Sequence, residues 1–434
     1  MCFAVNSFSQ SSFILKNGEK KETTYFKLLS NLIVFPMEVN GKKLNFILDS
    51  GVGKTILFNL NKNDSIPLHN VEKIKLQGLG SEDAIDAVLS KNNTFKLNNL
   101  IGVDQSLYVI FDENFDLSSK LGITIHGIIG YELLKDFVVT INYGYKKLSF
   151  IKPENYDVAK CRKCETFNLE FNMLKPFINI GAKFEKNPSK IIPVKLLIDS
   201  GGSDAMWLFE NSHPDILPPI KYFDDFLGEG LSGSIYGKRS MITSLVLGKF
   251  ELKNPTVSFP DSISIAYARK FEERNGSLGG SVLKRFVVTF NYPKKEITLK
   301  KGRYYNDPFR YNMSGIELIY SGKKLVEEKD ETSFTVTSIS KTDKNLTYSL
   351  KYNYKYSFKS TYKIHKLTVG SPAYNVGLEK GDIIVKINGK YTSTLKIDEI
   401  NEYFYQKENK RITIVVERYG VDYVYHFNLE NILK

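Results

Sequence analysis

Short apolar runs separated by polar turns fill the chain from residue 30 to residue 302, a pattern that predicts strands rather than helices. Residues 33–39 are apolar and lead into Asn40-Gly41, a dipeptide that favours a tight hairpin. Residues 43–48 then return toward Asp49. Farther on, residues 177–180 and 194–198 frame a looser polar loop before Asp199. Each aspartate therefore stands at the end of an apolar strand, where a turn begins. Ser and Gly suit that turn, Gly because it tolerates φ > 0.

The strand pattern is duplicated. Phe137-Val138-Val139-Thr140-Ile141-Asn142-Tyr143 recurs as Phe286-Val287-Val288-Thr289-Phe290-Asn291-Tyr292, an offset of 149, and both copies run through a lysine-bearing turn into another strand. Asp49-Ser50-Gly51 recurs as Asp199-Ser200-Gly201 and Gly78-Leu79-Gly80 as Gly228-Glu229-Gly230, both at an offset of 150. Phe95-Lys96-Leu97 is echoed by Phe250-Glu251-Leu252. Four landmarks in one order predict two similar lobes, 22–152 and 165–302, joined by a linker at 153–164 and preceded by a segment at 1–21. After an irregular polar linker at 303–311, residues 312–434 change to a mixed α/β pattern. Residues 396–407 have helical spacing, with Ile397, Ile400 and Phe404 on one side. Strands are expected over 412–416 and 423–427, around a turn at Tyr419-Gly420.

Composition narrows the class. With 42% hydrophobic and 13% aromatic residues in 434, the chain is globular. The net charge of +12 comes from dispersed lysines without a nucleic-acid-binding signature, so a solvated surface is expected and nucleic acid is not an expected partner. No run of 18 apolar residues is present to span a membrane. Met1–Gln10 reads as the tail of a secretory signal, so export to a periplasmic or extracytoplasmic space is expected, with a frayed cytoplasmic terminus as the alternative. Cys161 and Cys164 lack the four ligands of a structural zinc. They form either a local disulfide or two free thiols. The five histidines lack ligand spacing, His126 and His365 read as structural, and neither metal nor cofactor is expected.

Two carboxylates around one water can hydrolyse a peptide bond. The ionised one takes a proton from the water, and the protonated one donates to the carbonyl oxygen. An isolated Asp-Ser-Gly arises by chance in roughly one chain in ten of this length. Two copies at the repeat offset, each after an apolar strand, point to a paired site. The lobes resemble the pepsin and retropepsin superfamily of aspartic proteases. That family carries Asp-Thr/Ser-Gly in each lobe, followed by a hydrophobic-hydrophobic-Gly element and a short helix. Here these read Ile128-Ile129-Gly130 before 131–136, and Leu278-Gly279-Gly280 before 281–285. The resemblance, over about residues 30–302, implies a mainly β fold of two tandem β-barrel lobes and an aspartic endopeptidase that needs no cofactor, acting as a monomer on polypeptides. It implies Asp49 and Asp199 as the catalytic pair, and Ser50 and Ser200 as hydrogen-bonding across the lobe interface. Gly51 and Gly201 would give backbone N–H groups access to the carboxylates. Flaps are implied at 78–88, with Gly78 and Gly80, and at 228–237, with Gly228 and Gly230. The first flap lacks the family's tyrosine, for which Tyr236 could substitute. Gly279 replaces a bulky residue, which implies looser packing in the second lobe. A non-catalytic, peptide-binding pair of lobes is the alternative.

Gly370-Ser371-Pro372-Ala373, then Gly377-Leu378, Gly381-Asp382-Ile383-Ile384 and Ile387-Asn388-Gly389 resemble the core of bacterial PDZ domains. That resemblance implies capture of protein C-termini beside a helix at 396–407, which carries Ile400. Ser314, Gly315 and Ile316 would form the carboxylate-binding loop. Packing on the protease without peptide binding is the alternative. The Tyr- and Lys-rich stretch 321–363 is longer than a usual PDZ strand pair. Trp207 reads as core. No G-x-S-x-G elbow suggests a serine hydrolase, and Gly78-Leu79-Gly80 is not a phosphate loop.

Overall fold

The computed structural model describes residues 11–60, 66–80, 84–111, 116–157, 161–342 and 345–433. The reading of Met1–Gln10 lies outside them. The fold is mainly β, with a C-terminal α/β module. One compact unit comprises the described residues up to Ser118 together with Ile123–Tyr311. A second comprises Ser119–Gly122 and Asn312–Glu430.

Among the described residues, three sheets of nine, six and ten strands build the first unit. The nine- and ten-stranded sheets are two copies of one plan. In the first, Gly127–Ile129 lies parallel to Lys42–Leu48 and antiparallel to Thr55–Leu57. In the second, Gly276–Leu278 lies parallel to Asn187–Ile198 and antiparallel to Met206–Leu208. Leu48 is paired with Ile129 and Ile198 with Leu278, so both aspartates leave their strands at the same place in the plan. The six-stranded sheet is shared by the two halves. Val138–Asn142 pairs antiparallel with its own repeat, Phe286–Asn291, with Thr140 opposite Thr289 and their hydroxyls 3.1 Å apart. A pseudo-twofold axis therefore passes through this pair. Val139, Ile141, Val288 and Phe290 are wholly buried in a core common to both halves. Each contributes on the order of 1.5–3 kcal/mol by leaving water.

The edges of this sheet extend the duplication. Lys21–Tyr25 pairs with Lys147–Ile151 on one side, and Cys164–Asn168 pairs with Glu296–Lys301 on the other. These edge strands begin 143 residues apart (164 − 21). The offset rises to 150 because the hairpin of Lys175–Phe184 and Asn187–Ile198 is seven residues longer than that of Leu32–Val39 and Lys42–Leu48. Asn40 and Gly41, with φ of 48° and 85°, make the tight turn that their sequence predicts. Cys161 and Cys164 are joined as a disulfide. Residues 303–311, read as a linker, are irregular but anchored. Tyr304, Tyr305 and Phe309 pack on the core, and the buried Arg285 lies under the Phe309 ring and donates to the carbonyls of Tyr304 and Asp307.

In the second unit, Ile316–Thr342 and Asn345–Leu367 form one hairpin of 27- and 23-residue strands, which accounts for the long Tyr- and Lys-rich stretch. Ile383–Ile387, Arg411–Arg418 and Val421–Asn428 complete the sheet. Of the helix expected over 396–407, only Ile397–Asn401 is helical. Ile397, Ile400 and Phe404 are all buried as their spacing requires. The run Tyr403-Phe404-Tyr405 favours helix weakly, and the Phe404 carbonyl accepts from the Met313 N–H.

The outer part of the long hairpin holds its apolar side chains in solvent: Leu325, Phe334, Tyr354, Tyr356 and Phe358 are all more than half exposed. Joining Lys324 to Lys359 through Asn-Gly in place of the intervening residues is therefore expected to leave the melting temperature nearly unchanged. A drop beyond about 5 °C in a thermal scan would show that the ribbon supports the fold.

Candidate active site

The last three residues of the strands that end in Leu48 and Ile198 are buried, so each aspartate emerges from a packed support. The Asp49 N–H donates to the Ile129 carbonyl and the Asp199 N–H to the Leu278 carbonyl, each at 2.9 Å. Four hydrogen bonds then cross the lobe interface. The Ser50 hydroxyl donates to the Ile198 carbonyl (2.7 Å) and accepts from the Ser200 N–H (3.1 Å). The Ser200 hydroxyl donates to the Leu48 carbonyl (2.8 Å) and accepts from the Ser50 N–H (2.9 Å). Both serines are buried.

The glycines of the triplets serve closeness rather than an unusual φ, since neither Gly51 nor Gly201 lies in the left-handed region. A Cβ at Gly201 would fall 2.2 Å from the Asp49 Cγ, and one at Gly51 would lie 3.3 Å from the Asp199 Oδ1. Their N–H groups donate to the carboxyls that precede them, Gly51 to the Asp49 Oδ1 at 2.7 Å and Gly201 to the Asp199 Oδ1 at 3.1 Å. The two carboxyls are thereby brought together, largely but not wholly buried, and hydrogen-bonded to each other. Burial raises both above the ordinary carboxylate range. The charge of Asp199 raises Asp49 further, while Arg274, Lys175, the Gly202 N–H and the bond from Asp49 hold Asp199 down. The pair thus holds on to a proton above the ordinary carboxylate range.

The expected looseness at Gly279 is not found. A Cβ at Gly279 would meet the Asp204 carbonyl at 2.4 Å, and one at Gly280 the Asn31 carbonyl at 2.5 Å, so the glycines permit close packing. Trp207 is half-buried and its indole donates to Asp204, which also takes Ser258 and Arg239.

Two hairpins, one from each lobe, meet at their tips. One is built from Glu72–Leu76 and Ile85–Leu97, the other from Phe223–Gly230 and Gly233–Met241. The Ser232 N–H donates to the Leu79 carbonyl (2.8 Å), the Gly78 N–H to the Ser232 hydroxyl (3.1 Å) and the Gly80 N–H to the Ser264 carbonyl (2.9 Å). A side chain at Gly80 or Gly230 would collide with the opposing backbone at 2.0 Å. Leu79 packs against Phe209, Ile265 and Ala268 of the other lobe. Gly228, with φ of 149°, sits at a bulge where a Cβ would meet nothing. Tyr236 is half-exposed and stacks on Phe226, back from the tip.

In the second unit, the Ser314 hydroxyl donates to Asn312 and accepts from the Ile316 N–H. The carbonyls of Ser314 and Gly315 accept from Ala373 and Thr368. Gly315 has φ of 79°, and a Cβ there would strike Ser371 at 2.2 Å. The side chains of Ser314, Ile316 and Ile400 are fully buried, so they brace this loop and helix from within.

Residues 367–418 match the family model of the PDZ domain. The aspartic proteinase of Irpex lacteus is a structural neighbour with 12% identity, covering 66% of this chain and 99% of that chain at a TM-score of 0.43. No curated protein matches the chain. Within the PDZ domain, the Arg418 guanidinium grips both oxygens of the buried Asp382, and this fastens the Gly381-Asp382 turn to the strand Arg411–Arg418.

Sequence reasoning missed two cations at the pair. Arg274 is buried, donates to the Gly276 carbonyl and the Ser277 hydroxyl, and lies over the Phe209 ring. Lys175 opens the strand Lys175–Phe184. Neither belongs to a motif, and the only available signal was Lys175's place in a hairpin matching that of Ser30-Asn31.

Ser50→Ala or Ser200→Ala leaves a buried N–H and a buried carbonyl unpaired, and each is expected to cost about 1–3 kcal/mol in denaturant unfolding. Asp49→Asn is expected to act in the opposite sense. Asp49 titrates at 3.8 when unperturbed and higher when folded, so wild-type stability declines as pH rises from 3.8 through the folded value. An asparagine keeps the same bonds without that penalty. The variant should therefore melt higher than wild type at pH 7, with the gap closing below pH 3.8 in thermal scans.

Proposed function

We propose that the chain is an aspartic endopeptidase that hydrolyses polypeptides with a water held between Asp49 and Asp199. The observation that carries this reading is the largely buried, mutually hydrogen-bonded carboxyl pair, braced by reciprocal serine bonds from two copies of one loop. Asp199, the partner held lower by Arg274 and Lys175, is the base that takes the water's proton. Asp49 donates its proton to the scissile carbonyl as the tetrahedral intermediate forms. The two hairpins cover the reacting bond, and their tip contacts must part to admit a chain.

The PDZ domain is proposed to bind polypeptide termini. Ile316–Thr342 is the edge strand of its sheet and offers its outer side to an added strand. The Cys161–Cys164 disulfide supports an oxidising, extracytoplasmic location.

Asp49→Asn and Asp199→Asn are each expected to lower kcat for a denatured protein substrate by at least about a thousandfold. Cleavage at the wild-type rate in either variant, followed by gel or mass spectrometry, would overturn the assignment. The wild-type rate should follow a bell in pH, falling on the acid side as Asp199 gains a proton and on the alkaline side as Asp49 loses its own.

A further inference from the structure

The pseudo-twofold axis relates two tight turns that each reach across to the opposite aspartate loop. In the first lobe, Leu29 and Leu32 flank Ser30-Asn31, and the Asn31 side chain donates to the Ser203 carbonyl at 2.8 Å. In the second, Asn172 and Lys175 flank Met173-Leu174, and Leu174 stands where a Cβ at Gly53 would be 3.3 Å from its own Cβ. Both turns have left-handed φ at both central residues. The register makes Leu32 and Lys175 equivalent, since each is two residues before a strand position paired with the aspartate-bearing strand, Val34 with Ile47 and Phe177 with Leu197. Leu32 is buried and apolar, as expected at the base of such a site. Lys175 breaks the symmetry with a charge.

That charge is largely withdrawn from water, yet among the described residues no hydrogen bond or ion pair takes up its ammonium. Its electrostatic neighbours are Arg274, Asp49 and Asp199, and its burial and Arg274 hold its pKa down. Arg274 is already bonded to the Gly276 carbonyl and the Ser277 hydroxyl. With one proton on the pair, two cations face a single negative charge, which leaves a surplus of one positive charge. A partly buried ammonium with three unanswered donors and surplus positive charge calls for an anion.

We propose that Lys175 forms a subsite for a substrate carboxylate beside the scissile bond, so that the enzyme selects polypeptides with an acidic side chain, or a free C-terminal carboxylate, at that position. The inference rests on the endopeptidase reading for its catalytic meaning, but the subsite binds its ligand whether or not hydrolysis follows. Opposite charge at short range, screened from water, rewards a substrate that supplies the missing anion. It penalises a neutral one that leaves the ammonium buried and unpaired.

The test compares wild type with Lys175→Leu, which installs the residue the first lobe uses at this place, and with Lys175→Glu. Substrates are peptide pairs that differ only by Glu against Gln at each position within three residues of the cleaved bond, and pairs with free or amidated C-termini. Wild type should prefer Glu at one position by about tenfold in kcat/KM. The preference should fall to near one in Lys175→Leu and reverse in Lys175→Glu. If instead the free C-terminus carries the preference, the terminal carboxylate is the ligand. Equal cleavage of both members of every pair by wild type, or a preference that survives in Lys175→Leu, overturns the subsite. Binding of the same labelled peptides to the Asp199→Asn chain, by fluorescence anisotropy with and without Lys175→Leu, separates the two readings. Acid-selective binding lost with Lys175 upholds the subsite even if wild type cleaves nothing, whereas unselective binding sinks it even if cleavage is robust.

Discussion

Two serine hydroxyls, each donating to a carbonyl of the opposite lobe and accepting from its N–H, hold the rest of the site in place. Two carboxyls in contact and largely out of water repel when ionised and would each be better hydrated apart. Keeping them in contact therefore requires supports that do not yield. The serines supply this at the shortest range, because each is the first residue after an aspartate. Behind them, each loop hangs from a strand clamped between a parallel and an antiparallel neighbour. Behind those strands, the repeat pairs with itself at Thr140 and Thr289. A proton held by the pair relieves the remaining repulsion.

The symmetry is close at the pair and lapses outward. The second lobe carries the longer hairpin, a Leu-Ser tip where the first has Leu79 between glycines, and Lys175 where the first has Leu32. A polypeptide has a direction and no twofold axis, so a wholly symmetric cleft would read it equally both ways. On the endopeptidase reading proposed above, the departures would supply the distinction. They also make the surroundings of the two carboxyls unequal, because Arg274 lowers Asp199 while the charge of Asp199 raises Asp49.

Much of this was legible in the chain. The paired triplets, the Phe-Val-Val-Thr strands and the Asn40-Gly41 turn each depend on local chemistry that leaves a residue signature. The amino-terminal part of the duplication was not legible. Lys21–Tyr25 and Cys164–Asn168 share little sequence, and the longer hairpin shifts their spacing from 150 to 143. Gly51 and Gly201 were singled out partly for a freedom of φ and partly for the access their N–H groups give to the carboxyls. Their freedom of φ is unused, and what they provide is room for a carboxyl, which depends on the opposite lobe and so cannot be read from either triplet alone. Lys175 and Arg274 were invisible for the same reason, since a lone lysine after Met-Leu acquires meaning only when its turn is seen to cross the interface.

In the PDZ domain the motif names the family, and the side chains singled out from it lie inside the domain. Ser314, Ile316 and Ile400 are fully buried, and Ser314 directs its bonds to Asn312 and Ile316 within its own loop. Their side chains therefore shape the loop and helix from within. What the domain has to offer a peptide is backbone, the outer edge of the strand that begins at Ile316, which lies at the end of the strand order. An edge strand binds through N–H and C=O groups common to every residue, so affinity there depends weakly on sequence. Selectivity must come from elsewhere, and in this chain the unanswered charge beside the paired carboxyls is the feature best suited to provide it.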